Sequence, residues 1–336
     1  MFIKNTTAVS TCIIIGAGIA GLSSAKVLAD AGWKVIVLDK GRGVGGRMAT
    51  RRIENASFDH GAQYYSAKNS SFQELSFSLE KVEVARLWHL EEASHPENDF
   101  SFPRWIGKNG MSAIPKYLAD GVNVLTNKKV IKIEKSAAKC LIFTEDGDQF
   151  KGDALICTIP APQAIDLVQQ SDLQLSGAEY YAFQSISYQP CIAVMAVLNK
   201  KTNIPAPGGL KLDKCDVAWV ADNFQKGISA EFAATIHASP SFSEAHFDGD
   251  LMAIGSDLLS KIETWIPKDT IKTYQVHRWR FSLASKRYNE DFLRVKADFP
   301  FYFGGDGYGI GNVEGAFQSG RAIALDLLKI NNSSFI

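Results

Sequence analysis

Three glycines near the start of the chain have the spacing of a nucleotide-binding turn. An apolar run from Val9 to Ile15 predicts a buried strand. Gly16, Gly18 and Gly21 follow it directly. The first glycine permits a tight turn, the second lets a diphosphate approach the backbone, and the third allows the next helix to pack closely on the strand. That helix is predicted over Ile19 to Ala31, and its free N–H groups would face the phosphates.

An acidic residue at the end of the following predicted strand extends this pattern. The strand covers Lys34 to Leu38, and Asp39 comes directly after it. A carboxylate at this distance from the first glycine accepts hydrogen bonds from ribose hydroxyls and repels a 2′-phosphate. The glycines alone could be structural, but strand, turn, helix, second strand and acid together predict a dinucleotide site.

A second glycine-rich loop, Gly41 to Arg47, comes just after this acid. Its two arginines, Arg42 and Arg47, carry planar guanidinium groups that pair well with phosphate oxygens. The loop is therefore predicted to approach the same diphosphate from the other side. The alternative is a solvated basic loop, which would also account for Arg51 and Arg52.

Composition argues against several other classes of protein. Lys plus Arg and Asp plus Glu both number 36, so there is no basic excess for a nucleic acid. The five cysteines form no C-x-x-C pair, which indicates reduced thiols and a cytoplasmic location. The six histidines form no metal-ligand pattern, and the apolar run from Cys12 to Leu22 is too short to span a membrane. We therefore expect no metal, no nucleic acid and no membrane partner.

The glycine motifs resemble those of a known class. Gly16 to Gly21, Asp39 and Gly45-Gly46-Arg47 resemble the extended dinucleotide motif of FAD proteins of the amine oxidase class. Arg42 departs from that pattern, because it lies three positions after the acid instead of four. Its contact with the cofactor is therefore left open.

Several sequence segments resemble the renalase family more specifically, particularly its bacterial members. They are Phe58 to Tyr64, Arg104 to Gly107, His277 to Arg280, and the stretch from Gly305-Asp306 to Gly320. The resemblance implies an α/β fold, in which a Rossmann-like FAD-binding domain carries an inserted α+β substrate domain built on a mostly antiparallel sheet. The FAD domain is predicted to comprise residues 1–75, 106–168 and 292–336. The substrate domain is predicted to comprise residues 76–105 and 169–291.

The middle of the chain has a pattern that suits such an inserted domain. Alternating apolar runs, Cys191 to Val197 and Val217 to Val220, predict strands of a second sheet. Phe247 to Trp265 is predicted to be an amphipathic helix.

The C-terminal part is predicted to complete the cofactor site. An apolar run leads into Gly305-Asp306, and a helix is predicted from about Asn312 to Lys329. Asp306 can accept from a ribose or ribityl hydroxyl, and the N–H groups at Val313 and Glu314 would point at the flavin pyrimidine carbonyl. An ordinary capped C-terminal helix is the alternative.

FAD is expected to bind without a covalent link, since the last cysteine, Cys215, is far from the C-terminal flavin strand. The resemblance also implies that the backbone at Val130 holds the adenine. The residues predicted to contact FAD are Gly16, Gly18, Ile19, Ala20, Gly21, Asp39, Lys40, Arg42, Gly46, Arg47, Met48, Gly61, Ala62, Gln63, Val130, Gly305, Asp306, Val313, Glu314 and Ala316.

The renalase resemblance implies a specific reaction. Dihydronicotinamide dinucleotides with hydride at ring position 2 or 6 would be oxidised to NAD(P)+ by transfer of that hydride to flavin N5, and O2 would be reduced to hydrogen peroxide. Such chemistry needs a flat slot with stacking side chains and no general base. We expect this slot to be lined by Gln63, Tyr64, Trp105, His277 and Trp279, although each could equally be a structural residue.

Two other functions remain open from the sequence. Because the flavin motifs are shared, the chain could be a flavin amine oxidase or desaturase acting on another small substrate. It could also be a flavin-binding redox sensor without turnover. The sequence does not fix the physiological substrate, the preference between NAD and NADP isomers, the role of O2 as acceptor or the oligomeric state.

Overall fold

A computed structural model of the protein describes residues 9–88, 102–171, 173–213 and 215–333. The helices are α1 (Ile19–Asp30), α2 (Ser70–Lys81), α3 (Ala113–Ala119), α4 (Ala161–Gln170), α5 (Gly177–Gln184), α6 (Pro240–Ala245), α7 (Leu251–Ser260) and α8 (Asn312–Ser333). The strands are β1 (Thr11–Ile15), β2 (Lys34–Leu38), β3 (Thr50–Ile53), β4 (Ala56–Asp59), β5 (Tyr65–Ser66), β6 (Ala85–Leu87), β7 (Arg104–Gly107), β8 (Asn123–Leu125), β9 (Val130–Ser136), β10 (Lys139–Thr144), β11 (Gln149–Gly152), β12 (Ala154–Cys157), β13 (Ser187–Leu198), β14 (Gly209–Lys211), β15 (Val217–Asp222), β16 (Ala233–Ala238), β17 (Ile271–Lys286), β18 (Leu293–Val295) and β19 (Phe301–Phe303).

A six-stranded sheet in the order β18-β19-β12-β1-β2-β8 forms the first half of the molecule. All of its pairs are parallel except β18 with β19. Its central strands are buried on both faces, which explains their continuous apolar sequences. Cys12 and Ile14 pack in one core with α1 and α8, whereas Ile13 and Ile15 pack in another with α4 and α5.

A five-stranded antiparallel sheet in the order β14-β15-β16-β13-β17 forms the second half. One face packs on α6 and α7. The other face packs on the β3–β4 hairpin, where Met195 and Val197 meet Ile53 and Phe58. The hairpin therefore joins the two halves.

Two small sheets complete the fold. Strands β9, β10 and β11 form an antiparallel insert, with the Asp146-Gly147 turn between β10 and β11. Strands β5, β7 and β6 form a second antiparallel sheet beside α2. Strand β7 crosses the predicted domain boundary at residue 105, and residues 89–101 of the predicted substrate segment lie outside the described residues. The domain boundaries therefore remain predictions.

Local predictions hold best around the first glycine motif. Strand β2 covers the predicted residues, and helix α1 ends at Asp30 instead of Ala31. Gly32 follows α1 with a positive φ of 84°. The predicted helix over 247–265 is wrong in its bounds, because α7 begins only at Leu251. The Asp250 side chain accepts from the Ala253 N–H at 2.8 Å and so fixes the start of α7. Within the described ranges, no helix has the length and apolar character needed to cross a bilayer.

Candidate active site

Two adjoining cavities lie between the carboxyl ends of the parallel strands and the long strand β17. The first has a volume of about 1070 Å³ and the second about 790 Å³. Arg47 and Trp279 line both, so the cavities meet at these side chains. Crevices at the carboxyl ends of a parallel sheet are where such folds bind ligands.

The first cavity contains the predicted nucleotide end of the site. Gly16 has a φ of 105°, and a Cβ on Gly21 would approach the Gly16 carbonyl oxygen to 2.0 Å. A Cβ on Gly18 would meet no atom within 4 Å, so the backbone there is open to a ligand. The Asp39 carboxylate accepts from Ala17 N–H and Gly41 N–H, both at 2.6 Å. Asp39 thus braces the two glycine loops against each other.

Arg47 is held by the protein itself. Its guanidinium pairs with both carboxylate oxygens of Asp306, at 2.5 and 2.6 Å, and donates to the carbonyls of Phe281 and Ser282 on β17. Burial lowers the pKa of Arg47, but the carboxylate of Asp306 outweighs it and the net pKa is raised. This arrangement differs from the expectation that Arg47 pairs with the cofactor diphosphate. It ties the first glycine-rich segment to the C-terminal segment and to the antiparallel sheet.

The second cavity brings together the predicted flavin end. Residues 61–65 line one side, and the start of α8 lines another. Gly61 packs so closely on the Arg47 backbone that a Cβ would lie 2.1 Å from the Arg47 carbonyl oxygen. The first-turn N–H groups of α8, including those of Val313 and Glu314, lack partners within the helix and so are available to a ligand. The Glu314 carboxylate accepts from the backbone of Lys68 and Asn69 and fixes this helix end.

Gln63 lines the second cavity. Its side chain is only 7% exposed, and its Nε2 donates to the carbonyls of Asp59 and Gly61. Its Oε1 is buried and has no hydrogen-bond partner among the described residues. A buried acceptor without a donor is costly, so this oxygen is suited to a ligand N–H.

Aromatic and imidazole rings surround Gln63. Trp279 donates from Nε1 to the His60 carbonyl at 2.8 Å, and His237 Nε2 lies 3.2 Å from the same oxygen. Tyr64 packs on Trp219 with ring centres 5.8 Å apart. Burial lowers the pKa of His237 to about 4, so this imidazole is neutral at pH 7.

His277 lines the first cavity, with its ring centre 4.5 Å from that of Trp279. Trp105 does not line either cavity, which corrects its predicted place in the slot. It is 2% exposed and packs edge-on against Phe77. Since side chains alternate along a strand, Arg104 points into the second cavity and Trp105 points into the core.

Most other predicted site residues line the cavities. The first is lined by Gly16, Asp39, Lys40, Arg42, Gly46, Arg47, Val130, His277 and Trp279. The second is lined by Ile19, Ala20, Arg47, Met48, Gly61, Ala62, Gln63, Tyr64, Trp279, Gly305, Asp306, Val313, Glu314 and Ala316. Gly18 and Gly21 line neither and act through the backbone, as described above. The lining residues that the sequence did not single out include Trp219 and His237. Their only signal is a polar or large ring within the apolar strands β15 and β16.

A buried ion pair supports the segment that carries Gln63. Lys226 Nζ lies 2.8 Å from the Asp59 carboxylate, and both side chains are fully buried. Asp59 also accepts from Thr50 Oγ1 and from the Met111 N–H. Burial lowers the pKa of Lys226, and the carboxylate of Asp59 opposes this shift. Sequence reasoning missed this pair because its members are 167 positions apart.

Comparison with known proteins defines the class of this fold and site. Residues 83–328 match the model of the flavin containing amine oxidoreductase family, and residues 14–76 match that of an NAD(P)-binding Rossmann-like domain. The chain therefore belongs to the flavin containing amine oxidoreductases.

Within this class, the chain is similar to renalase of Mus musculus, with 25% identity over 96% of this chain and 98% of the relative. It is 34% identical to flavin-containing amine oxidase B of Cavia porcellus, but over only 27% of this chain and 18% of that one. The renalase-like character expected from the sequence is thereby confirmed.

Solved structures support the same fold. A putative protoporphyrinogen oxidase from Exiguobacterium aligns with a TM-score of 0.73 and 12% identity, over 95% of this chain and 98% of that one. Wild-type putrescine oxidase bound to putrescine aligns with a TM-score of 0.71 and 16% identity, over 95% and 99%. These similarities support the predicted α/β fold class, and the family match shows that the chain is a flavin-dependent oxidoreductase.

Proposed function

We propose that the protein is an FAD-dependent oxidase of dihydronicotinamide dinucleotides that carry their hydride at ring position 2 or 6. The observation that carries this proposal is the composition of the second cavity. Its rings, from Tyr64, Trp219 and Trp279, suit a flat substrate, and the buried Gln63 Oε1 suits a carboxamide N–H.

The residues fit FAD as the flavin. Asp39 can receive the ribose hydroxyls of an adenine nucleotide, and the open backbone at Gly18 leaves room for a diphosphate. The joined cavities extend from Val130 to the start of α8, which suits a long dinucleotide. Bound FAD supplies the hydride acceptor and passes the electrons to O2, giving hydrogen peroxide.

The polar groups beside the rings favour hydride removal without acid–base catalysis. A 2- or 6-dihydropyridine that loses hydride becomes an aromatic cation, so no proton has to be removed. Gln63 does not titrate, and His237 is neutral at pH 7 because burial lowers its pKa to about 4. The protein's task is therefore to bind, orient and exclude water.

Oxidation of an amine is the second candidate, supported by the local similarity to amine oxidase B. The charges of the second cavity disfavour it. Arg104 lies over the Tyr64 ring at 4.7 Å, and Lys68 lines the same space. The carboxylate of Asp306 is paired with Arg47, and Glu314 Oε1 accepts from two backbone N–H groups, so both carboxylates already have donors.

We also propose a cytoplasmic location. Each of the five cysteines is a free thiol, and three of them are fully buried. A chain with unpaired thiols suits a reducing compartment.

Anaerobic stopped-flow absorbance tests the proposal, with flavin bleaching followed at about 450 nm. The purified yellow protein is mixed with borohydride-generated dihydro-NAD isomers, with pure NADH and with a panel of amines. Fast bleaching by the 2- or 6-isomer alone is the expected result. Bleaching by an amine alone would assign the protein to amine oxidation. Reduction only by light would indicate a redox sensor.

A further inference from the structure

The first cavity has far more positive charge than a dinucleotide cofactor needs. Ten basic side chains line it, against two acidic ones, although the chain as a whole is neutral. The diphosphate of FAD carries about two negative charges, which leaves much of this charge without an anion.

Several of these basic groups are committed to the protein. Arg47 pairs with Asp306, Lys128 pairs with Asp146 and Asp148, and Lys129 pairs with Glu145. Arg278 and Arg280 lie on the other face of β17, where both contact the Phe247 ring. The charges of Arg47, Lys128 and Lys129 are therefore already compensated by carboxylates.

Arg51 on strand β3 is different. It is half-buried, and within the described part of the chain it makes no ion pair and no hydrogen bond through its side chain. Its charge acts on the two histidines beside it. Burial first, and Arg51 in addition, lowers the pKa values of His60 and His277. Arg51 and both imidazoles line the first cavity.

His60 provides an independent sign of a missing ligand. Its ring is 6% exposed, it lines the cavity, and its Nδ1 has no hydrogen-bond partner among the described residues. Its ring centre lies 5.1 Å from those of both His277 and Trp279. His60, His277 and Trp279 thus form one cluster of rings, and Arg51 lines the same cavity.

We infer that Arg51, His60 and His277 form a subsite for the diphosphate of the dinucleotide substrate. The inference rests on the proposed function. In such a substrate one ribose separates the nicotinamide from the diphosphate, and Arg51 lines the same cavity as the ring cluster that includes Trp279. A planar guanidinium binds phosphate oxygens in pairs, and neutral imidazoles add hydrogen bonds without repulsion.

The position of Arg51 separates this subsite from the cofactor diphosphate. The glycine turn that would hold the cofactor phosphates belongs to the parallel sheet, at the start of α1. Arg51 belongs to the β3–β4 hairpin, which packs on the antiparallel sheet. The two phosphate sites would therefore be formed by different elements that border the same cavity.

A substrate series of decreasing length tests the inference on the holoenzyme. Borohydride-generated isomers of dihydro-NAD, dihydronicotinamide mononucleotide and dihydronicotinamide riboside are compared by anaerobic flavin reduction in wild type, Arg51→Gln and Arg51→Lys. The matched control is Arg321→Gln, an exposed arginine outside both cavities. Arg51→Gln is expected to raise the Kd of the dinucleotide roughly tenfold to a hundredfold and to leave the riboside unchanged. Arg51→Lys should recover part of this loss.

Each contrary result has its own meaning. Equal effects of Arg51→Gln on the riboside and the dinucleotide would overturn the subsite while leaving the proposed function intact. A lowered FAD content would assign Arg51 to the cofactor and overturn it as well. If no isomer reduces wild type, the proposed function fails. The subsite is then judged by titrating ADP-ribose against the flavin spectrum, and equal Kd values in wild type and Arg51→Gln would overturn it.

Discussion

Trp279 lies where the two cavities of the site meet. It lines both cavities, contacts His60 and His277, and donates to the His60 carbonyl. Its indole can therefore both bound a flat substrate and fix the segment that leads to Gln63. Trp105, equally large, lies in the core without touching either cavity.

The two tryptophans should respond differently to substitution. Trp279→Ala is expected to raise the Kd of the dihydronicotinamide isomers roughly tenfold or more, since stacking on one base contributes about 1–3 kcal/mol. Trp105→Phe should lower the stability to urea and leave this Kd unchanged. Anaerobic reduction kinetics at several substrate concentrations measure both. An unchanged Kd in Trp279→Ala would remove this residue from the substrate slot.

His60 makes the stability of the protein sensitive to acid. Burial, His277 and Arg51 lower its pKa from about 6.5 to about 3. Because the unfolded chain binds a proton near pH 6.5 and the folded chain does not, the stability is complete above pH 6.5 and is lost as the pH falls below it. His60 alone contributes about 2 kcal/mol to the loss between pH 7 and pH 5, and His237, whose pKa burial lowers to about 4, adds to it.

Urea unfolding at these two pH values measures this effect. His60→Asn should show a smaller loss between pH 7 and pH 5 than wild type, even if its stability at pH 7 is lower. A loss of the same size in the variant would show that other groups carry the acid sensitivity.

At the scale of elements, α1 and α8 pack closely because small residues meet between them. A Cβ on Gly320 would lie 2.0 Å from the Ala20 carbonyl oxygen, and Ser24 Oγ donates to the Gly320 carbonyl at 2.7 Å. Ser23 Oγ donates to the Phe317 carbonyl. The helix that would present phosphate-binding N–H groups is thus fixed by the helix that would present N–H groups to the flavin.

Substitutions at two glycines near the start of α1 should distinguish an effect on folding from an effect on cofactor binding. Gly21→Ala is expected to destabilise the protein strongly, because its Cβ would overlap the Gly16 carbonyl. Gly18→Ala should leave the stability to urea nearly unchanged, since its φ is −75° and its Cβ would meet open space. It should nevertheless lose FAD, because the methyl group would occupy the diphosphate position.

The flavin content of the purified variants and their urea midpoints measure this contrast. A Gly18→Ala protein that retains FAD would show that the diphosphate binds elsewhere.

The elements that could be predicted are those whose signals are local. The turn from β1 to α1 and the acid after β2 follow from residues within thirty positions of each other. The end of α7 and the orientation of Trp105 depend on capping and on strand register, which the hydrophobic pattern does not specify. The positions of His237 and Lys226 depend on pairing between distant strands. Local sequence patterns therefore indicate the residues of the proposed cofactor site. The residues around the proposed substrate slot come together only in the tertiary fold.

At the scale of the whole molecule, two ion pairs hold together segments that are far apart in the sequence. Arg47 and Asp306 hold the glycine loop to the C-terminal segment, and Asp59 and Lys226 hold the hairpin to the turn after β15. The second pair is fully buried, so each charge depends on the other for compensation.

Breaking the buried pair should be costly. Lys226→Met leaves an uncompensated carboxylate and is expected to lower the free energy of unfolding by about 3–5 kcal/mol. The double variant Lys226→Met/Asp59→Leu should recover part of this loss. The control is Lys272→Met, which removes an exposed ion pair to Glu54 on the same hairpin and should have no measurable effect. Equal stabilities of the single and double variants would contradict this account.

The order of strands in the parallel sheet has a consequence for how the protein is made. Strand β1 pairs with β12, β12 pairs with β19, and α1 packs on α8. During synthesis the N-terminal parts emerge first. A nascent chain on the ribosome thus holds the glycine turn long before residues 301–333, which supply Asp306 and the start of α8, have been translated. Flavin capture therefore has to wait until residues 301–333 have been made, and a chain without them would lack Asp306 and the start of α8 and is not expected to retain its cofactor.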